Sequence, residues 1–484
     1  MKNKNAETQG SALNIEQNGI NVIDESERKG SPKSLFWPWF AANIAVLSVS
    51  YGAWTLEMGI NAQQAIIATT LGIIVAFLLV GFVSLAGKRG SAPTMILSRS
   101  AFGVNGNRVP AVISWLICVG WETILVVLST LAVATVFKEM HWASGNMTKI
   151  IAFLVVIAII VGVAVLGFDA IMNFQKWLTI ILGIATIVYF ILCAHLINFN
   201  LLTTMKPGNF AGMIGAAILV ITGLGMSWIN SAADYSRYIP RKASSKGVVG
   251  WTTFGGALTP VILVIFGILL VASQKGNVTS AFATNISADP IGTLASVLPT
   301  WYLLPFTLVS VISLVSGAVL DIYSSGLALL AIGLPVKRWV GTCLDGIIMF
   351  LGTIYILWFA SSDFFSLFEA FLFAVGVPIA GWSGIFLAEL VIRKKDYDEK
   401  ALFDAKGRYG SVNWVSLLGM IVASIVGFGF MTSTVSGFTW QGYLFNSFLP
   451  KAVWGYSNLG VFIALLIGFI VPFFNIKAIR KQEA

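Results

Sequence analysis

Glu122, next to Trp121, sits in the middle of an apolar run from 109 to 137 that is long enough to cross a bilayer. An acidic side chain at that depth costs about 2.5 to 3.5 kcal/mol on insertion scales, so it is normally retained facing a cavity, an ion path or a partner. The alternative is a glutamate tied to a neighbouring helix for packing alone. The Trp121 indole adds a face on which a planar ring can stack, unless it serves as packing or as an interface anchor. A second carboxylate, Asp321, falls in a later apolar run. An acid that alternates between an exposed and an occluded state can couple proton uptake to movement of another solute. Its alternative is a helix-end aspartate reaching water or pairing with Lys or Arg. Glu57 and Glu369 lie near the ends of apolar runs and are weaker candidates. Asp234 and Arg237 lie one turn apart, a spacing that suits a structural or gating ion pair.

The elements that must position these residues are membrane helices. Of 484 residues, 57% are hydrophobic and 11% charged, against about 25% charged in a soluble domain. Twelve apolar runs can span about 30 Å of hydrocarbon at about 1.5 Å per residue. They cover 35–57, 64–86, 109–137, 150–167, 177–198, 211–233, 251–273, 302–331, 339–360, 364–391, 413–433 and 452–474. The expected fold class is thus an all-α integral membrane protein with twelve transmembrane helices.

Charge orients the spans. With both termini inside, all but five of the 30 Lys and Arg residues fall on the inner side; the exceptions are Lys138, Lys149, Lys206, Lys275 and Lys451. This positive-inside bias accounts for the net charge of +9 and makes nucleic acid an improbable partner. It predicts a multi-pass protein of the plasma (cytoplasmic) membrane with both termini cytoplasmic. Residues 1–34 are polar and lack an apolar signal segment, so they are expected to form a disordered cytoplasmic tail without a signal peptide. Cys118, Cys193 and Cys343 have neither disulfide nor zinc spacing, and His141 and His195 are the only histidines. No metal and no cofactor is expected.

Two spans carry clusters of small residues at matching places when the first ten are split into halves of five. The first has Ser48-Val49-Ser50-Tyr51-Gly52 and the sixth Thr222-Gly223-Leu224-Gly225-Met226-Ser227. Such clusters let a helix unwind at mid-membrane and free its backbone groups for a solute or ion. Taken singly, each also suits a close-packing face. As a pair they favour a secondary transporter.

Five stretches, in order, carry a family resemblance: ANIAVLSVSYG from Ala42, LSRSAFGVNGNRVP from Leu97, VGWET from Val119, GFDAIMNFQKW from Gly167 and ADYSRYIP from Ala233. Together they resemble the purine-cytosine permease family, the nucleobase cation symporters of the first type, from about Trp39 to Arg393. The resemblance implies a LeuT-type fold with broken helices 1 and 6. Helices 1–5 (35–198) and 6–10 (199–392) would be inverted repeats, followed by a charged cytoplasmic loop (393–412), two additional helices (413–476) and a cytoplasmic tail (477–484). It implies uptake of a heterocyclic solute with a coupling cation, proton or sodium, across the lipid bilayer by alternating access.

Matched positions give expected roles. Trp121 would stack on the ring, with Glu122 beside it reading its polar edge. Gly225 and Ser227 fall where relatives place sixth-span contacts to a base, and Ser48 and Ser50 lie in the matching part of the first span. Either serine could instead bond back to its own helix. Ser313 and Ser316 stand where sodium-coupled relatives place hydroxyls, and Asp321 offers a carboxylate for ion coupling. Fungal members carry asparagines before the shared Tyr-Ser, where this chain has Gly317, Ala318 and Asp321. The expected solute is cytosine or a purine, with a hydantoin, allantoin, hydroxymethylpyrimidine or pyridoxine-like compound as the alternative. A polytopic membrane enzyme is the reading from another class, but no boundary constellation of His, Asp and Ser supports it.

Overall fold

The computed structural model describes residues 18–166, 168–273, 284–360 and 364–483. Residues 1–17 of the expected tail, Lys275 and Gly167 of the fourth motif lie outside them. Among the described residues every regular element is helical. In chain order the main helices are α1 (Phe36–Asn43), α2 (Leu47–Leu56), α3 (Ala62–Gly90), α4 (Arg108–Glu139), α5 (Asn146–Leu166), α6 (Phe168–Cys193) and α7 (Phe210–Val220). They continue with α8 (Ser245–Ala272), α9 (Thr300–Ile332), α10 (Arg338–Trp358), α11 (Phe364–Ile392), α12 (Trp414–Phe428) and α13 (Gly460–Ile470).

Ten described helical stretches are long and apolar enough to cross a membrane. The two other apolar runs differ for identifiable reasons. The first divides into α1 and α2, and the eleventh is α12, only 15 residues long. Between α1 and α2 the backbone leaves helical geometry at Ile44 (φ −81°, ψ 56°), just after Asn43 turns its amide onto the Trp39 carbonyl at 2.8 Å.

The sixth run changes its winding rather than stopping. After α7 it passes through a wide π turn (Ile221–Gly225), a tight 3-10 stretch (Met226–Ser231) and a last α turn (Ala232–Ser236). Short π and 3-10 segments inside a helix leave the regular hydrogen-bond ladder and mark functional or strained places.

Close helix approach depends on missing side chains. A Cβ on Gly52 would stand 2.4 Å from the Ile268 amide nitrogen, and one on Gly267 would stand 2.0 Å from the Val49 carbonyl oxygen. These glycines let α2 and α8 meet backbone to backbone, the small-residue packing that bilayers favour where burial gives little driving force. α4 packs chiefly on α9, with α10, α5 and α11 around it. α3 begins with a capping box in which Asn61 and Gln64 satisfy each other's amides.

Residues 18–34 depart from the expected disordered tail. The buried Ile23 donates its amide to the Ser91 carbonyl at 2.8 Å, and the buried Arg28 pairs with Glu25 at 2.8 Å and Glu399 at 3.2 Å. The Gly19 carbonyl accepts from Arg237 at 2.8 Å, and the Gly30 amide donates to the Tyr238 carbonyl at 3.1 Å. Ile23, with Ile20 and Val22 packed on the core, and one arginine thus anchor a polar segment whose composition alone suggests solvation. The charged loop 393–412 packs on the same end, where Arg99 donates to the Leu402 carbonyl at 3.0 Å.

Candidate substrate cavity

A cavity of about 50 Å³ lies where α1 meets α2, bounded by α4, the π turn and α9. Its polar lining is Asn43, Ser48, Tyr51, Trp121, Ser227, Trp228, Ser313 and Asp321. All of these are buried, so the site lies inside the protein. A cavity of about 150 Å³ holds benzene. The present volume suits a few waters, and a heterocycle requires the surrounding helices to part.

The lining offers both stacking surface and unspent hydrogen bonds. Trp121 and Phe368 form a T-shaped pair (centroids 5.4 Å apart, planes at 74°), and Phe368 in turn touches Tyr51 and Trp54. Trp228 is held by Trp39 in an edge-on contact at 5.8 Å. Among the described residues neither Trp121 Nε1 nor Tyr51 Oη has a hydrogen-bond partner, although both are buried. Buried polar groups are normally satisfied, so orphans on a cavity wall are candidate ligand donors. Ser227 Oγ bonds back to the Gly223 and Leu224 carbonyls at 3.1 and 3.3 Å, which leaves its oxygen able to accept. Ser313 Oγ donates to the Ile44 carbonyl at 2.9 Å, joining α9 to the gap between α1 and α2.

A family model described as "Permease for cytosine/purines, uracil, thiamine, allantoin" matches residues 22–480. The chain belongs to this permease family. A Bacillus subtilis protein, YxlA, whose name places it among purine-cytosine permeases, is 24% identical over 441 residues, 87% of this chain and 89% of that one. A purine-cytosine permease of Saccharomyces cerevisiae is 27% identical over 259 residues, 52% of this chain and 46% of its own length. Among solved structures, the nucleobase-cation-symport-1 family transporter Mhp1, closed with bromovinylhydantoin bound, superposes with a TM-score of 0.69 at 18% identity, covering 98% of this chain and 96% of that chain. Mhp1 facing inward gives 0.65 at 17% identity. The permease therefore has the all-helical, LeuT-like transporter fold of Mhp1, and its relatives are transporters rather than enzymes.

Five of the residues singled out in the sequence of the permease meet at the cavity: Ser48, Trp121, Ser227, Ser313 and Asp321. The others do not line it. Glu122 is 0% exposed and follows Trp121 by about 100° around α4, which turns it away from the cavity toward Asp345 and Ser325. It is thus not among the residues that line the cavity in this conformation, where it was expected at the polar edge of a ligand. Gly225 faces α3, where a Cβ would stand 2.4 Å from the Ala76 Cβ, so it is a packing glycine. Ser50 is buried off the cavity, and Ser316 is engaged with Gln175 of α6 through bonds of 2.5 and 3.0 Å.

Asp234 and Arg237 each bond to other elements. Asp234 accepts from the Thr94 amide and hydroxyl, both at 2.8 Å, and Arg237 donates to the Tyr323 hydroxyl at 2.8 Å. Glu57 accepts from Ser287 at 3.4 Å and Glu369 from Asn458 at 3.5 Å, and neither lines the cavity. Sequence reasoning passed over Tyr51, Asn43, Trp228 and Asp345. Tyr51 stood inside the quoted Ser-Gly cluster, and Asp345 was a further acid inside an apolar run.

Proposed function

We propose that the permease is a secondary active symporter that imports a nucleobase, cytosine or a purine, by alternating access. The observation that carries this reading is the cavity itself. It combines an indole face at Trp121, orphaned donors at Tyr51 and Trp121, and the Ser48 and Ser227 hydroxyls, at the two places where helical winding is interrupted. Trp121 would stack on the ring, while Tyr51, Ser48 and Ser227 would read its edge; stacking is tolerant of the base and the edge contacts are not. The small volume fits one state of a cycle that opens to either side.

Two arrangements favour a coupling cation. Ser313 and the Ile44 carbonyl bring a hydroxyl and a freed backbone oxygen together, as a sodium site would need, while Asp321 supplies a carboxylate that could carry a proton. The reading includes 35–198 and 199–392 as inverted repeats. It also includes a cytoplasmic membrane location with both termini inside, supported by the distribution of Lys and Arg. A hydantoin-like or other flat heterocycle is the second reading, favoured by the fold shared with hydantoin-bound Mhp1.

The test is uptake of labelled cytosine, hypoxanthine and uracil by cells expressing the chain, with and without sodium or a protonophore. Accumulation above the external concentration, abolished when the driving gradient is removed, is expected. Uptake that only equilibrates would contradict symport.

A further inference from the structure

Behind the cavity wall lies a second polar site that the substrate reading does not use. Glu122 of α4 and Asp345 of α10 are both 0% exposed. Asp345 is well satisfied, accepting from Trp115 Nε1 at 2.6 Å and from Ser325 Oγ at 2.9 Å. Glu122 is not. Among the described residues neither of its buried oxygens has a partner in hydrogen-bond geometry, and Asp345 and the Ser325 hydroxyl are among the groups whose charge and dipole act on it.

Among the described residues no cation lies in contact with either acid; Arg338, the first residue of α10, lies two turns before Asp345. From α9 come Asp321 and the Ser325 hydroxyl, from α10 Asp345, and from α4 itself Cys118. The charged residue of α5 is Lys149, in its first turn, and those of α11 are Glu369 and Glu389, near its two ends. Glu389 is paired with Arg393. Among the described residues neither Glu122 nor Asp345 forms an ion pair. Two adjacent buried carboxylates without a cation cannot both stay ionised, because the desolvation cost of each is several kcal/mol and their charges repel.

We propose that Glu122 and Asp345 hold one exchangeable proton between them, forming a proton site at the α4–α9–α10 junction distinct from the substrate cavity. The site connects to the cavity at two points. Glu122 follows the cavity residue Trp121 on α4, and Ser325 lies one turn beyond the cavity residue Asp321 on α9. A shift of α9 against α4 when substrate enters would therefore change how Glu122 stands relative to Asp345 and its Ser325 donor. This coupling rests on the symporter reading in its proton-driven form: substrate and proton each raise the affinity for the other.

Infrared spectra of the purified protein in lipid nanodiscs test the site without any substrate. At neutral pH the wild type should show a protonated-carboxyl stretch that shifts in D2O, and a component of it should be missing from both Glu122→Gln and Asp345→Asn. Absence of the band from the wild type, or its survival unchanged in both variants, would overturn the proposal. Replacing choline chloride with sodium chloride should leave the band in place; its loss on sodium addition would show a metal-cation site instead. The coupling is read from cytosine binding. The wild-type affinity should rise by about tenfold per unit fall in pH over the titration, as one linked proton requires, and this slope should vanish in Glu122→Gln. Wild-type binding without a pH slope overturns the coupling. Failure of cytosine to bind refutes the nucleobase reading, while the infrared result still decides the proton site.

Discussion

Trp121 and Glu122 are consecutive, yet they face two compartments with opposite demands. Trp121 looks into a cavity whose hydroxyls and orphaned donors await an outside partner, while Glu122 looks into a closed junction where its neighbour is a second acid. The turn of about 100° between adjacent residues of a helix makes this possible. It also means that a pair of adjacent polar residues in a membrane helix is poor evidence for one shared site. On the proposed reading the front of α4 serves a neutral ring, and its back holds a buried acid out of water.

That contrast can be broken from either side. The largest effect is expected from Trp115→Phe, which removes a donor to the buried Asp345. Losing a hydrogen bond to a charged group costs about 1.5 to 3 kcal/mol, so thermal stability should fall markedly while cytosine affinity at a pH low enough to keep the acid pair protonated holds. Trp121→Ala should do the reverse, weakening cytosine binding by about 1 to 3 kcal/mol, roughly ten- to a hundredfold in Kd, with little change in melting temperature. Equilibrium binding and a thermal melt on the same two preparations separate these outcomes.

Smaller effects sharpen the picture. Ser48→Ala should cost one neutral hydrogen bond, about 0.5 to 1.5 kcal/mol of affinity, measured by competition binding. Ser313→Ala removes the bond from α9 to the Ile44 carbonyl and should lower stability by a similar amount. If sodium drives transport, that variant should also lose the sodium dependence of uptake. Glu122→Gln is expected to change cytosine affinity least at the pH where wild type binds best, because the side chain does not line the cavity.

Much of the fold was legible because hydrocarbon thickness is a hard constraint. Ten of the twelve apolar runs appear as helical stretches long enough to span it, and the clusters at Ser48–Gly52 and Thr222–Ser227 lie at or beside the places where winding changes. What hydropathy cannot give is which way a residue faces. Gly225 looks like a site residue beside Ser227, yet it lies against Ala76, since its azimuth is set by the contact of the sixth run with α3. Ser316 resembles Ser313 but is one turn on and bonded to Gln175, a partner 141 residues away in sequence. Asp345 carried a signal of its own, an acid within an apolar run, and it became meaningful only when α10 was seen against α4.

The most direct check is a thermal-shift and binding comparison of wild type, Trp121→Ala and Glu122→Gln against a panel of flat heterocycles that includes cytosine, hypoxanthine, uracil and a hydantoin. One compound should stabilise the wild type and Glu122→Gln to a similar degree at matched favourable pH, and Trp121→Ala far less. Equal stabilisation of Trp121→Ala, or loss of binding in Glu122→Gln at every pH, would contradict the division of α4 into a ligand face and a proton face.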